Sequence, residues 1–345
     1  MRPVCRNGDV KADRNGFGVA KPLPSVKTDR NGETMPPKYS THRDRAHRAS
    51  CFVISITPFA ADGRLDEDLF RAHMRRLAAG GIGVYVGGGG SGEGYTLTRE
   101  DNIRIFAIAV EELKGKVPCR AMGVEPRTAA QMLDFLNLAA DAGMDAAQVY
   151  SLDVGHSHAP TPEELSTYFG EVIANAPLPL VLSTHQSVGY RIAPELIVEL
   201  AQAPQVLAVN CTHPDLGYLA QVIDGVADKK DVHVGGPMQG LTALAFGGQG
   251  FLCSEGNLAP HLCVSVIEHY KAGNLDAMMD AFSKVVRLST GLYGNGGIRV
   301  TKAVLNNLGL PGGYPRKPRL PVTDDRMTRS LALVQSMNLP ELRGL

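Results

Sequence analysis

The sequence is short of lysine, has no long apolar run and carries no surplus of either charge. Each shortage narrows what the chain can do. No stretch approaches the roughly eighteen consecutive apolar residues that span a bilayer, so no membrane helix is expected. The first fifty residues lack the apolar core of a secretory signal, and their five acids disfavour a transit peptide. Six cysteines in 345 residues are too sparse for a disulfide framework, which points to a reduced, cytoplasmic setting. Lys+Arg and Asp+Glu balance at 35 each, but residues 1–50 hold eleven bases against five acids, leaving the remainder six negative. An acidic body excludes general nucleic-acid binding, which needs a clustered basic surface. Lysine itself numbers twelve against twenty-three arginines, and Lys11, Lys21, Lys27 and Lys38 fall in the N-terminal stretch.

What is present is a repeated texture. Residues 1–50 are polar, rich in Gly, Pro, Lys and Arg, and without apolar periodicity, so they read as a disordered or loosely attached basic extension. From there, short apolar runs alternate with amphipathic stretches. Strands are predicted at 52–58, 82–87, 118–124, 145–151, 179–184, 206–211, 232–236 and 250–254. Helices are predicted at 65–79, 99–113, 128–142, 163–175, 194–203, 215–225 and 239–247. Eight βα units over residues 51–258 predict an α/β fold, a closed (β/α)₈ TIM barrel. An open doubly wound sheet would carry a glycine-rich fingerprint on its first turn, where this chain reads TPFAADG. Residues 259–345 read as a C-terminal helical domain broken at 308–315.

In such a barrel the chemistry sits at the C-terminal strand ends. There the sequence offers Thr57, Ser91 and Glu93 in GGGGSGE (87–93), Glu125, Asp153, His156 and His158, Ser183-Thr184-His185, Asn210 to His213, and Cys253-Ser254-Glu255. The glycine cluster suits a backbone cradle for an anion, with Ser91 adding a hydroxyl. It lacks the Lys-Ser/Thr ending of a nucleotide loop. His156, His158, His185 and His213 follow three neighbouring strands. With Asp153 they are candidate ligands for a divalent metal, the one candidate cofactor, although none is assigned. The same imidazoles equally suit metal-free acid–base work. Glu93 reads as a turn brace, Cys253 and Cys263 as packing residues, and His73, His233, His261 and His269 as structural.

The segments TPFAADGRLDED (57–68), GGSGEGYTLTREDN (89–102), APTPEEL (159–165), GGQGFLCSEGNLAP (247–260) and TKAVLNNLGLPGG (301–313) resemble the dihydrodipicolinate synthase / N-acetylneuraminate lyase family. The resemblance runs over about residues 52–325. It implies a barrel with a C-terminal helical domain, a homo-oligomer (dimer or tetramer), and carbon–carbon bond chemistry or dehydration on a small oxo acid. The family's two carboxylate-holding threonines fall on Gly90 and Ser91. Its strand-4 tyrosine falls near Leu152 or Asp153, with Tyr150 too early to replace it. Its strand-5 Tyr-Asn pair becomes Ser183-Thr184, and Gly236 and Leu252 match pocket-lining positions. Its Schiff-base lysine falls on Asn210, and an amide cannot form an imine.

The expectation is therefore a lyase of this type, a carbon–carbon lyase or hydro-lyase, that acts on a small carboxylate or oxo acid without a lysine Schiff base. His185, with His156, His158 or His213, is expected to move protons, with Asp153 nearby and Asn210 donating to an oxyanion. Gly90, Ser91, Thr57, Ser183, Thr184, Gly236 and Leu252 are expected to bind the substrate. The alternatives are a metal-dependent hydrolase or aldolase built on the histidines, and a non-catalytic carboxylate-binding protein. Neither nucleic acid nor membrane is an expected partner.

Overall fold

Period-two runs of Val, Ile and Ala make strands that are buried on both faces, because one face meets the barrel interior and the other meets helices. The computed structural model describes residues 42–185 and 189–344. The basic extension, as far as residue 41, lies outside the described residues. The strands are β1 (Ser50–Ile54), β2 (Gly83–Val86), β3 (Cys119–Ala121), β4 (Ala146–Val149), β5 (Leu180–Ser183), β6 (Val206–Cys211), β7 (Asp231–Gly235) and β8 (Gly250–Cys253). All are parallel, and β1 pairs with β8 to close the barrel.

The helices around it are α2 (Glu67–Ala79), α3 (Arg99–Leu113), α4 (Ala129–Asp141), α5 (Pro162–Asn175), α6 (Pro194–Leu200), α7 (Leu216–Val226) and α8 (Gly240–Phe246). Their starts are written in the sequence. Thr98 and Asp101 form a reciprocal capping box at α3, and Thr161 and Glu164 form another at α5. Each such cap is worth about 1 kcal/mol of helix stability. The short helix α1 (His42–Arg45) precedes β1. Arg45 is buried and Arg48 bonds Asp231, so the folded body begins earlier than the expected boundary at residue 50.

Inside the barrel, Phe52, Tyr85, Met122, Tyr150 and Leu252 form an apolar layer. Ala146, Val181 and Ala208 form a smaller cluster of buried residues. Arg120 is also enclosed here, stacked 4.2 Å over the Phe52 ring and donating to the Tyr85 hydroxyl at 3.0 Å. Gly83 is required opposite Phe52, since a Cβ there would lie 2.5 Å from the ring. Beyond the barrel come α9 (Pro260–Ala272), α10 (Leu275–Leu288), a π-helical turn (Ser289–Tyr293), α11 (Ile298–Asn307) and α12 (Asp325–Ser336).

Lys302 of α11 reaches back to the barrel. Its ammonium is buried and contacts Glu93 Oε1 at 2.5 Å, the Thr57 carbonyl at 2.8 Å and the Tyr314 carbonyl at 2.9 Å. The other Glu93 oxygen accepts from the Arg316 amide, so Glu93 is the turn brace it was read to be.

Candidate active site

A cavity of about 550 Å³ opens at the C-terminal end of the strands. Its lining includes Gly90, Ser91, Glu125, Gln148, Tyr150, Ser183, His185, Asn210, Thr212, Gly236, Leu252, Ser254 and Glu255. A larger cleft of about 780 Å³ lies outside the barrel, between α2, α9, α10 and the C-terminal segment. Arg76 there donates to the Asn257 and Leu258 carbonyls, and Glu341 caps the start of α9. The barrel cavity is where polar side chains from the strand ends converge.

At its floor lies a hydrogen-bonded chain drawn from β2, β4 and β6. Asn210 is buried on β6. Its amide nitrogen donates to Gln148 Oε1 at 2.6 Å and to the Tyr85 hydroxyl at 3.2 Å. Gln148 in turn hydrogen-bonds the Tyr150 hydroxyl. Asn210 therefore does not have its NH₂ group to offer an oxyanion, contrary to expectation. Both amide hydrogens are committed to protein partners, and Oδ1 is the atom left without one.

On the wall, His185 Nδ1 lies 3.2 Å from Glu125 Oε1, and the imidazole edge packs against the Tyr150 ring with centroids 6.4 Å apart. Burial and the nearby Glu125 charge push the Tyr150 phenol well above its ordinary range, so it is a neutral proton donor. Glu255 accepts from the Ser254 amide at 3.0 Å. Burial raises its carboxyl above the ordinary value, although bonds from Ser254 and Ser289 pull the other way. Ser91 and Ser254 share a hydroxyl–hydroxyl bond of 2.7 Å. Among the described residues the N–H groups of Gly90 and Ser91 find no acceptor, so this corner presents donors to the cavity.

Of the expected binding residues, Gly90, Ser91, Ser183, Gly236 and Leu252 line the cavity. Thr57 and Thr184 do not. The Thr57 hydroxyl donates to the Gly92 carbonyl and holds the glycine turn. Thr184 has the opposite strand parity to Ser183, and its hydroxyl accepts from the Thr212 amide at 2.8 Å.

Nor does the histidine cluster assemble. His156 and His158 are exposed in the loop after β4, outside the cavity lining. The Asp153 carboxylate accepts from the Gly155 amide within that loop. His213 lies flat on the Tyr218 ring at 4.0 Å, with Nδ1 accepting from the Asp215 amide. Only His185 faces the cavity. Among the described residues no three His, Cys, Asp or Glu side chains come together as a metal site.

Glu125 and Glu255 are among the polar residues the sequence places at the strand ends but carry no assigned role there, and Tyr150 is set aside as too early. For Tyr150 a signal existed: it shares the inward parity of Gln148 and sits at the end of a strand. Among the described residues, no lysine lines this cavity.

The dihydrodipicolinate synthetase family matches residues 48–337. The 4-hydroxy-tetrahydrodipicolinate synthase of Methanothrix thermoacetophila is 26% identical over 289 residues, covering 83% of this chain and 96% of the relative. That of Maridesulfovibrio salexigens is 28% identical, covering 79% and 91%. Among solved structures, a dihydrodipicolinate synthase from Bacillus anthracis superposes with a TM-score of 0.77 at 23% identity, over 84% of this chain and 98% of that one. An N-acetylneuraminate lyase from Mycoplasma synoviae gives 0.72 at 19%, over 83% and 97%. With its barrel, its helical appendage and a match across most of its length, the chain belongs to the dihydrodipicolinate synthetase family.

Proposed function

We propose that this protein is a lyase, a carbon–carbon lyase or hydro-lyase, acting on a small carboxylate without a lysine Schiff base. The observation that carries this reading is the His185–Glu125 pair facing a cavity whose floor is Asn210 and whose lining holds no described lysine. The Gly90 and Ser91 amides, with the Ser91 and Ser254 hydroxyls, hold the carboxylate. His185 keeps Nδ1 toward Glu125 and uses Nε2 as the base. In a dehydration, Nε2 takes the proton from the carbon beside the carboxylate. The freed electron pair forms the new double bond, and hydroxide leaves the next carbon as water, taking a proton from Tyr150 or Glu255. Burial raises both groups above their ordinary values, which favours the protonated form that step uses.

The metal-dependent reading is not favoured, because its proposed ligands are dispersed. A homo-oligomeric, cytoplasmic enzyme remains part of the proposal. No described helix is long and apolar enough to cross a membrane.

Two measurements test the reading. Borohydride reduction in the presence of pyruvate should leave the intact mass unchanged, and a trapped lysine adduct would sink the mechanism. A screen of small oxo and hydroxy acids, followed by NMR, should find turnover that His185→Ala abolishes. Full turnover in that variant would remove His185 from the chemistry.

A further inference from the structure

Among the described residues eleven large apolar side chains are exposed, and four of them line the barrel cavity: Tyr95, Val124, Met238 and Tyr293. Each comes from a different segment. Tyr95 lies in the turn after β2, Val124 follows β3, Met238 follows β7, and Tyr293 ends the π-helical turn after α10. Met238 and Tyr293 are 61% and 54% exposed, whereas Ser91, Gln148, Asn210 and Glu255 of the same lining are 3% exposed or less. Polar side chains thus sit in the depth of the cavity, and apolar ones stand at its mouth beside the His185–Glu125 pair. Exposed apolar surface gathered at one opening gains free energy when a ligand covers it.

The volume points the same way. About 550 Å³ falls within the ~300–1,000 Å³ of pockets that enclose drug-sized ligands. A three- or four-carbon acid is far smaller, so one held at the Ser91 corner leaves most of the lining uncovered. Among the described residues no lysine or arginine lines the cavity, and its two carboxylates are Glu125 and Glu255, so a second anionic group would meet no lining cation. Arg319, outside the lining, donates to the Tyr95 hydroxyl at 3.0 Å and holds that ring. A polyhydroxylated arm would have to desolvate its hydroxyls against Val124, Met238 and two tyrosine rings. We infer that the acid taken by this enzyme carries an apolar arm of about a phenyl ring's size, which Tyr95, Val124, Met238 and Tyr293 cover at the mouth. Two aromatic rings and a thioether suit such a ring through edge or offset stacking and sulfur contact. This rests on the carboxylate-lyase reading above and narrows its substrate class. It also makes the C-terminal helical domain, through Tyr293, a determinant of specificity.

The test is calorimetric titration of the full chain with 2-oxobutyrate and 2-hydroxybutyrate, their 4-phenyl derivatives, 2-oxoadipate and gluconate. In the oxo series, the hydroxy series or both, the phenyl acid should bind at least about tenfold more tightly than its parent, 2-oxoadipate and gluconate. In Met238→Ser/Tyr293→Ser, whose sites are more than half exposed, the ratio of phenyl to parent affinity should fall at least about threefold. Where the parent binds too weakly to titrate, the fall is read on the phenyl acid itself, and Met238→Ser alone decides if the double variant does not fold. A phenyl advantage below tenfold in both series, tighter binding of 2-oxoadipate or gluconate, or a smaller fall in the variant would each overturn the inference and leave the carboxylate reading standing. A smaller fall accompanied by a changed oligomeric state in sedimentation would assign the mouth to contact with a second copy instead. Failure of all six acids to bind would overturn the carboxylate reading itself, and the inference with it.

Discussion

In the proposed mechanism Glu125 acts through His185, by holding its ring. A half-exposed imidazole at a cavity mouth can adopt several orientations. The carboxylate 3.2 Å from Nδ1 fixes the ring in one of them. Glu125 is thus a positioning residue, and its removal should affect turnover more than binding. Glu125→Gln is expected to lower kcat by about 10²-fold with little change in KM, and His185→Ala to lower it by about 10²–10⁴-fold. Steady-state kinetics on whichever hydroxy or oxo acid turns over would check this. Comparable kcat in Glu125→Gln and the unaltered protein would mean that the pair is not catalytic.

The residues that proved misplaced fail for a physical reason. Asp153, His156 and His158 lie beyond the last residue of β4, where strand parity no longer dictates direction. His213 follows the inward-facing Thr212 and turns away to stack on Tyr218.

Among the elements, the junction between the glycine turn after β2 and helix α11 carries the clearest stability consequence. Glu93 sits there with a left-handed φ of 54°, and its carboxylate is held by Lys302 and by the Arg316 amide. Burial lowers the Lys302 ammonium to about 8, although the Glu93 charge opposes the shift. Lys302→Met removes the cation and leaves a buried carboxylate facing apolar surroundings. The expected loss is ~3–5 kcal/mol in chemical denaturation, partly recovered in Glu93→Gln/Lys302→Met. No loss in the single variant would show that the pair is dispensable. The glycine turn also supplies the Gly90 and Ser91 amides, so the double variant tests whether this helix shapes the binding corner.

For the whole molecule, acid should be the weak direction. His73 and His233 are fully buried, and burial pushes each down to about 3. In the unfolded chain they titrate near the ordinary value of about 6.5. The unfolded state therefore binds more protons between those values. Their contribution is fully present above about pH 6.5 and is lost as the pH falls toward 3. Thermal melts from pH 7.5 to 4 should show a falling Tm, and His73→Gln should flatten the fall. A Tm that does not change across that range would contradict the burial of both imidazoles.

The order of strands and helices was legible from the sequence, because hydrophobic period and capping residues are local properties. Helix 99–113 was placed to the residue, with Thr98 and Asp101 in its capping box. The absence of lysine from every barrel strand was equally legible, since composition needs no coordinates. The register pairs Ser183 directly with Asn210, a pairing that put Ser183 and not Thr184 in the cavity lining. What the tertiary structure decided is which of the polar residues at the strand ends meet. His185 and Glu125 are 60 residues apart, Asn210 and Gln148 are 62 apart, and Asn210 and Tyr85 are 125 apart. Closing the barrel brings them together, and no local pattern encodes a contact over such separations. The Asn210 nitrogen is committed by residues of two other strands, β2 and β4. The sequence by itself determined a barrel whose strands carry no lysine, because residue type and period are local properties; only closure of the barrel decided which polar side chains meet at its floor and wall.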